Sequence, residues 1–133
     1  MRFLNTEHEK KLMELVQKDG THPKDKERIS LFYILSGNHD LYAKSRSIYD
    51  FGLHQIIPDC LNGGSVDFCS SSRALIRLGY NLYNSYQDGD TSPIHLLSGL
   101  DEDNYFLATE SIGVRFGRSY QVQSTLDDDE AEL

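Results

Sequence analysis

The sequence predicts an all-α fold: a compact single-domain bundle of four to five helices around a long central helix at about residues 67–86. Three observations predict it. Residues 67–86 form the longest uninterrupted helical pattern in the 133-residue chain. Within it Leu75, Leu78 and Leu82 recur at i, i+3 and i+7, widened by Phe68, Ile76 and Tyr83 into one core-facing stripe. Elsewhere the apolar residues follow helical rather than alternating spacing.

Taken in order, Asn5 or Thr6 can cap a first helix, with Glu7 and Glu9 near its positive end and His8, Leu12, Leu15 and Val16 on one face. Asp19-Gly20 ends it and Thr21-His22-Pro23 makes the connection. A second helix is expected from about residue 23 to 36, with Pro23 at its start. The run Ile29-Ser30-Leu31-Phe32-Tyr33-Ile34-Leu35 is apolar nearly all round, as a central helix would be. Gly37 stops it and Asn38 caps a third helix, from about 39 to 48. Tyr49-Asp50-Phe51-Gly52 breaks that helix. Leu53–Ile57 is short and apolar, Pro58 limits it, and Asn62-Gly63-Gly64-Ser65 is a loop.

Asp67 or Ser65 is the expected cap of the long helix. Gly79 inside it costs about 1 kcal/mol relative to Ala, and a close helix–helix crossing explains its presence. Gln87–Pro93 is a polar connection. A last helix is expected from about Asp101 to Phe116, with a short extended piece at residues 120–123. Residues 127–133 are too acidic to pack, so the domain is expected at 1–120 and a disordered tail at 121–133.

Composition bounds the chemistry. The net charge is −8, and it is unevenly placed: residues 1–50 carry nine Lys/Arg against eight Asp/Glu, residues 51–133 four against thirteen. Such a chain lacks the clustered cations that neutralise phosphates, so nucleic acid is not an expected partner, whereas a basic protein surface is. No apolar run nears the length of a bilayer span, and Met1–Asn5 lacks a signal-peptide core, so the expected location is the cytoplasm. Cys60 and Cys69 are expected as free thiols there, and neither a metal nor a cofactor is expected.

Two motifs fall short of a catalytic class. Gly37-Asn38-His39-Asp40 matches the Asn-His segment of metallophosphoesterases, yet the upstream Asp-x-His and Gly-Asp elements are absent and the sole Gly-Asp, Gly89-Asp90, lies downstream. Cys69-Ser70-Ser71-Ser72-Arg73 places three residues between Cys and Arg, where a cysteine phosphatase loop needs five. Its hydroxyls at a helix start, with Arg73 and Arg77 one turn apart, either hold an anion or lock the fold by pairing with Asp40, Asp50 or Glu27. Tyr80, Tyr83 and Tyr86 recur every three residues with Asn81 and Asn84 between them, and Tyr33, Tyr42 and Tyr49 precede them. Such residues make either a hydrogen-bonded core edge or a recognition surface.

The segments Glu27-Arg28 to Tyr33, Ser36-Gly37-Asn38 to Tyr42, Ile48-Tyr49-Asp50-Phe51 and, above all, residues 67–84 resemble a family of small proteins of unassigned function from Gram-positive bacteria and their mobile elements. The resemblance covers roughly residues 3–116 and transfers no catalytic residue. It implies a plasmid, integrative-element or phage setting, in which small acidic proteins act as inhibitors or regulators of host machinery, anti-defence proteins among them.

The expectation is therefore a non-enzymatic binding protein that occupies a host protein with a basic surface or a small anionic ligand. Its binding residues would be Asp40, Tyr42, Tyr49, Asp50, Ser70, Ser71, Arg73, Arg77, Asn81 and Tyr83. The alternative is a small enzyme acting on a phosphorylated or nucleotide substrate, with Arg73 and Arg77 on the anion and Asp40 or Asp50 as acid or base. A homodimer pairing through Gly79 is a third option.

Overall fold

A computed structural model describes residues 1–118 and gives an all-α domain. The expected extended piece at 120–123 and the acidic tail lie outside the described residues. Helix α1 spans Thr6–Asp19, α2 Lys26–Gly37, α3 His39–Ala43 and α4 Ser45–Ile48. After a small hairpin come a 3-10 turn at Pro58–Asn62, α5 at Ser70–Asn84, α6 at Pro93–Leu97 and α7 at Glu102–Arg115. The long helix falls inside the expected span.

The local chemistry explains the ends. Asn5 caps α1 by accepting from His8 N, and Gly20 closes it in the left-handed conformation (φ 72°). Asp25 caps α2 through Arg28 N, so this helix starts after Pro23, not at it. Asn38 caps α3 through Leu41 N, and its amide also donates to Asn104 Oδ1 at 3.0 Å. A Cβ at Gly37 would collide with Leu107 and His8. The Gly-Asn pair thus serves a helix junction. The expected third helix is divided at Lys44 into α3 and α4. Cys69, rather than Asp67 or Ser65, occupies the cap position of α5, and no side chain caps that helix. Helix α6, begun by Pro93, was not foreseen.

Helix α2 lies among α1, α5 and α7. Its residues Leu31, Phe32, Tyr33, Ile34 and Leu35 are fully buried, as expected of a helix that is apolar on every side. Gly79 is where α5 crosses it. A Cβ there would lie 2.7 Å from Leu31 Cδ1, so the glycine serves an intramolecular crossing. That face is already covered by α2, and a homodimer cannot pair through it. His8 is buried between α1 and α2 as a neutral imidazole: Nδ1 accepts from Leu4 N at 3.2 Å and Nε2 donates to Tyr33 O at 2.9 Å. Burial holds its pKa below the usual 6.5, against the opposing pull of the Tyr33 carbonyl.

Strands β1 (Tyr49–Asp50) and β2 (Gln55–Ile56) form an antiparallel hairpin, with Tyr49 opposite Ile56 and Asp50 opposite Gln55. Its base is packed on α2 by aromatics. Tyr49 meets the Phe32 ring edge-on at 5.0 Å, and Phe51 stacks on Phe32 at 5.7 Å. The buried Tyr80 hydroxyl holds both ends of this region, 2.6 Å from Ile48 O and 3.1 Å from Ile57 O.

Candidate functional site

The densest polar arrangement surrounds Asp19, the last residue of α1. A carboxylate at a helix C-terminus opposes the helix dipole, and this one is also buried, its side chain 2% exposed. It persists because four groups compensate it. Gly20 turns the chain so that the Thr21 hydroxyl donates to Oδ2 at 2.6 Å. The Tyr49 hydroxyl donates to Oδ1 at 2.9 Å, and His54 Nδ1 lies 2.7 Å from the same oxygen. Arg28 Nε stands 3.8 Å from Oδ2. Burial pushes the Asp19 pKa up, but the bonds from Thr21, His54 and Tyr49 together outweigh it and hold the carboxyl below its usual 3.8.

Arg28 joins α2 to the hairpin. Its Nε donates to the Tyr49 hydroxyl at 2.9 Å, one terminal nitrogen pairs with Asp25 at 2.8 Å, and the other donates to His54 O at 3.1 Å. The bonds to Tyr49 and Asp25 raise its already high pKa further. Burial raises that of Tyr49, which stays a phenol.

The hairpin turn is fixed from below. Asp50 Oδ1 accepts from Gly52 N and Leu53 N, both at 2.9 Å, an Asx-type turn. His54 adopts a left-handed φ of 57°, a conformation that costs a residue bearing a Cβ about 1 kcal/mol or more. Its carbonyl is held by Arg28 and, at 3.4 Å, by the Tyr83 hydroxyl. Leu53 at the tip remains 67% exposed. Beside the turn, Asp19, Thr21, His22, Asp25, Arg28 and His54 line a cleft of about 430 Å³. Among the described residues, no three His, Cys, Asp or Glu side chains are grouped so as to hold a metal ion.

The ten residues expected from the sequence do not converge. Tyr49, Asp50 and Tyr83 belong to the hairpin just described. Asp40, Ser70, Ser71 and Arg73 lie at or near the start of α5. Asp40 pairs with Lys44 at 2.9 Å and accepts weakly from Ser72 at 3.4 Å, while Arg73 donates to the Phe68 carbonyl. Arg77 pairs with Asp88 at 2.9 Å and lies 3.8 Å from Asp90, in the loop that folds back after α5. Asn81 pins that same return through Tyr86 O at 2.9 Å. Tyr42 donates to Glu14 on α1, which raises its pKa to about 12.

The expected pairing of Arg73 and Arg77 with Asp40, Asp50 or Glu27 is therefore corrected. Those carboxylates are engaged by Lys44, by the turn amides and by Arg115, respectively. The two arginines turn to local partners.

Sequence reasoning missed Asp19, Thr21, His22, Asp25, Arg28 and His54 as a group. One signal was available: Asp19 is a carboxylate at the wrong end of a helix and demands a compensating cation. Cys60 is buried and Cys69 exposed, both free thiols. Hydrogen bonding with Ser71 and Ser72 lowers the Cys69 pKa to about 7, and burial raises that of Cys60.

No helix of the described residues is long and apolar enough to cross a membrane. Neither a curated protein nor a solved structure matches the chain. A family profile matches residues 1–128, and on that match the chain belongs to the family of unknown function DUF6075.

Proposed function

We propose that the protein is a binding protein whose recognition element is the tip of the β1–β2 hairpin, and that its partner is a protein with a basic surface. One observation carries this reading. His54, a residue with a Cβ, is held left-handed by three braces, from Asp19, Arg28 and Tyr83, while the adjacent Leu53 projects into solvent. Strain retained at an exposed, over-braced turn fits a pre-organised contact surface, because a rigid tip loses little entropy on binding. The net charge of −8 favours encounter with a basic surface. An inhibitory or regulatory role in a mobile element is the finer part of the proposal and rests on the family resemblance of the sequence.

A photo-crosslinking residue at position 53, with position 94 as the control because Ile94 is equally exposed at 70%, tests this in the producing cell. The expected result is a discrete adduct from 53 and none from 94. Identical patterns at both positions, or no adduct at 53, would overturn it.

A second reading, a small enzyme on a phosphorylated or nucleotide substrate, is favoured by the Asp19–His54 contact, since a carboxylate that orients an imidazole is a common acid–base device. Turnover of such a substrate that is lost in His54→Gln and kept in Arg73→Ala would replace the binding reading.

A further inference from the structure

The cleft between the α1–α2 connection and the hairpin carries an inference beyond the partner surface at Leu53. It is lined by two imidazoles, His22 and His54, and the structure assigns each a different tautomer. Asp19 can only accept, so at 2.7 Å His54 Nδ1 carries the hydrogen, and in the neutral ring Nε2 is a bare acceptor. At His22 the roles reverse. Lys24 N donates to His22 Nδ1 at 3.0 Å, so that nitrogen is bare and the hydrogen sits on Nε2. Among the described residues neither Nε2 has a hydrogen-bond partner. One acceptor and one donor are therefore available on side chains that line the same cleft.

The remaining lining selects the charge of the occupant. Asp19 and Asp25 face one guanidinium, that of Arg28, which is consumed by Asp25, Tyr49 and the His54 carbonyl. An anion would meet two carboxylates and the bare Nε2 of His54. A cation would find both carboxylates already engaged, Asp19 by Thr21, Tyr49 and His54 and Asp25 by Arg28, and would meet the Nε2–H of His22. A neutral group that both donates and accepts meets neither conflict. Adjacent hydroxyls have that property, and a cleft of about 430 Å³ accommodates a monosaccharide or a nucleoside.

We infer that this cleft binds a neutral hydroxylated small molecule, one hydroxyl donating to His54 Nε2 and an adjacent oxygen accepting from His22 Nε2. The ligand is distinguished by its vicinal hydroxyls, whether they belong to a free sugar or to the ribose of a nucleoside.

Long-range proton–nitrogen spectra of the five histidine rings in the full chain test the tautomers and the ligand together. Before any addition, His54 should be protonated at Nδ1 and His22 at Nε2. Titration with ribose and, separately, with uridine should then move the His22 and His54 signals saturably and leave His8, His39 and His95 in place. Inorganic phosphate and ethylammonium should move neither. A response to both neutral probes assigns the site to the shared diol, and a response to uridine alone assigns it to a nucleoside. Loss of the response in His22→Phe, an exposed position where the fold should survive, and in His54→Gln would confirm the site. Absence of a saturable shift with both neutral probes, a response to phosphate, or His54 protonated at Nε2 in its neutral form would overturn the inference. None of these outcomes depends on the crosslinking result at position 53, so the two proposals fail separately.

Discussion

Two helix ends in this molecule gather polar side chains, and burial separates them. At the end of α1 the Asp19 side chain is 2% exposed and is met by Thr21, Tyr49, His54 and Arg28. At the start of α5 the carboxylate of Asp40 is 42% exposed, answered by Lys44 and a long contact from Ser72. Both regions offer carboxylates, hydroxyls and an arginine nearby. In the first, the shared carboxylate is desolvated and fixes its neighbours. In the second, water competes for the carboxylate. A residue inventory alone does not make a site; burial turns the inventory into geometry.

The largest test of this contrast is a pair of deletions. Asp19→Ala leaves Arg28, Tyr49 and His54 without their shared acceptor, and a loss of about 3–5 kcal/mol is expected in urea unfolding, as for one partner of a buried pair. Asp40→Ala should cost no more than about 1 kcal/mol, the range of exposed pairs. Equal losses would break the comparison.

A sharper test uses the two non-glycine residues with left-handed φ among the described residues, His54 at φ 57° and Ser85 at φ 68°. Ser85→Gly should stabilise by about 0.5–1 kcal/mol, because glycine takes this conformation without the Cβ penalty. His54→Gly gains the same relief but loses its bond to a buried carboxylate, so a net loss of about 1 kcal/mol is expected. Opposite signs in the two unfolding curves support the bracing role of His54, and stabilisation in both would remove it.

Acid provides the third test. The folded Asp19 carboxyl lies below its usual 3.8, so the unfolded state binds the proton first. The stability that the charged carboxylate contributes is present above 3.8 and is lost as pH falls through the lower folded value. Between about pH 5 and about pH 2 the urea midpoint should fall more steeply in the parent chain than in Asp19→Asn. The smallest effect concerns the α5 start. Cys69, exposed and with a pKa of about 7, should be alkylated by iodoacetamide at neutral pH with little change in stability, whereas Cys60 should react only on unfolding.

Much of the fold was legible because it follows from local rules. Asn5, Asn38 and Asp101 cap helices through their side chains, and Gly20 closes one through its left-handed backbone. The stripe Leu75, Leu78, Leu82 is buried, and Gly79 marks a crossing. Where the reading failed, a competing partner nearby in the chain or across the fold decided the outcome. Pro23 looked like a helix start, but Asp25 had the cap, and its carboxylate also pairs with Arg28. Arg73 and Arg77 carried the right chemistry for an anion, yet the carbonyl of Phe68 and the return of Asp88 took them. The cleft was illegible because its partners lie far apart in the sequence. Asp19 and His54 are 35 positions apart, and no spacing rule joins a helix end to a hairpin turn.

The bracing of the hairpin tip rests on the coupling between those two residues. A double-mutant cycle of Asp19→Ala and His54→Ala, read by urea unfolding at neutral pH, measures it directly. The predicted coupling is about 1 kcal/mol or more, as for groups in one buried network, and effects that add within about 0.5 kcal/mol would contradict the account.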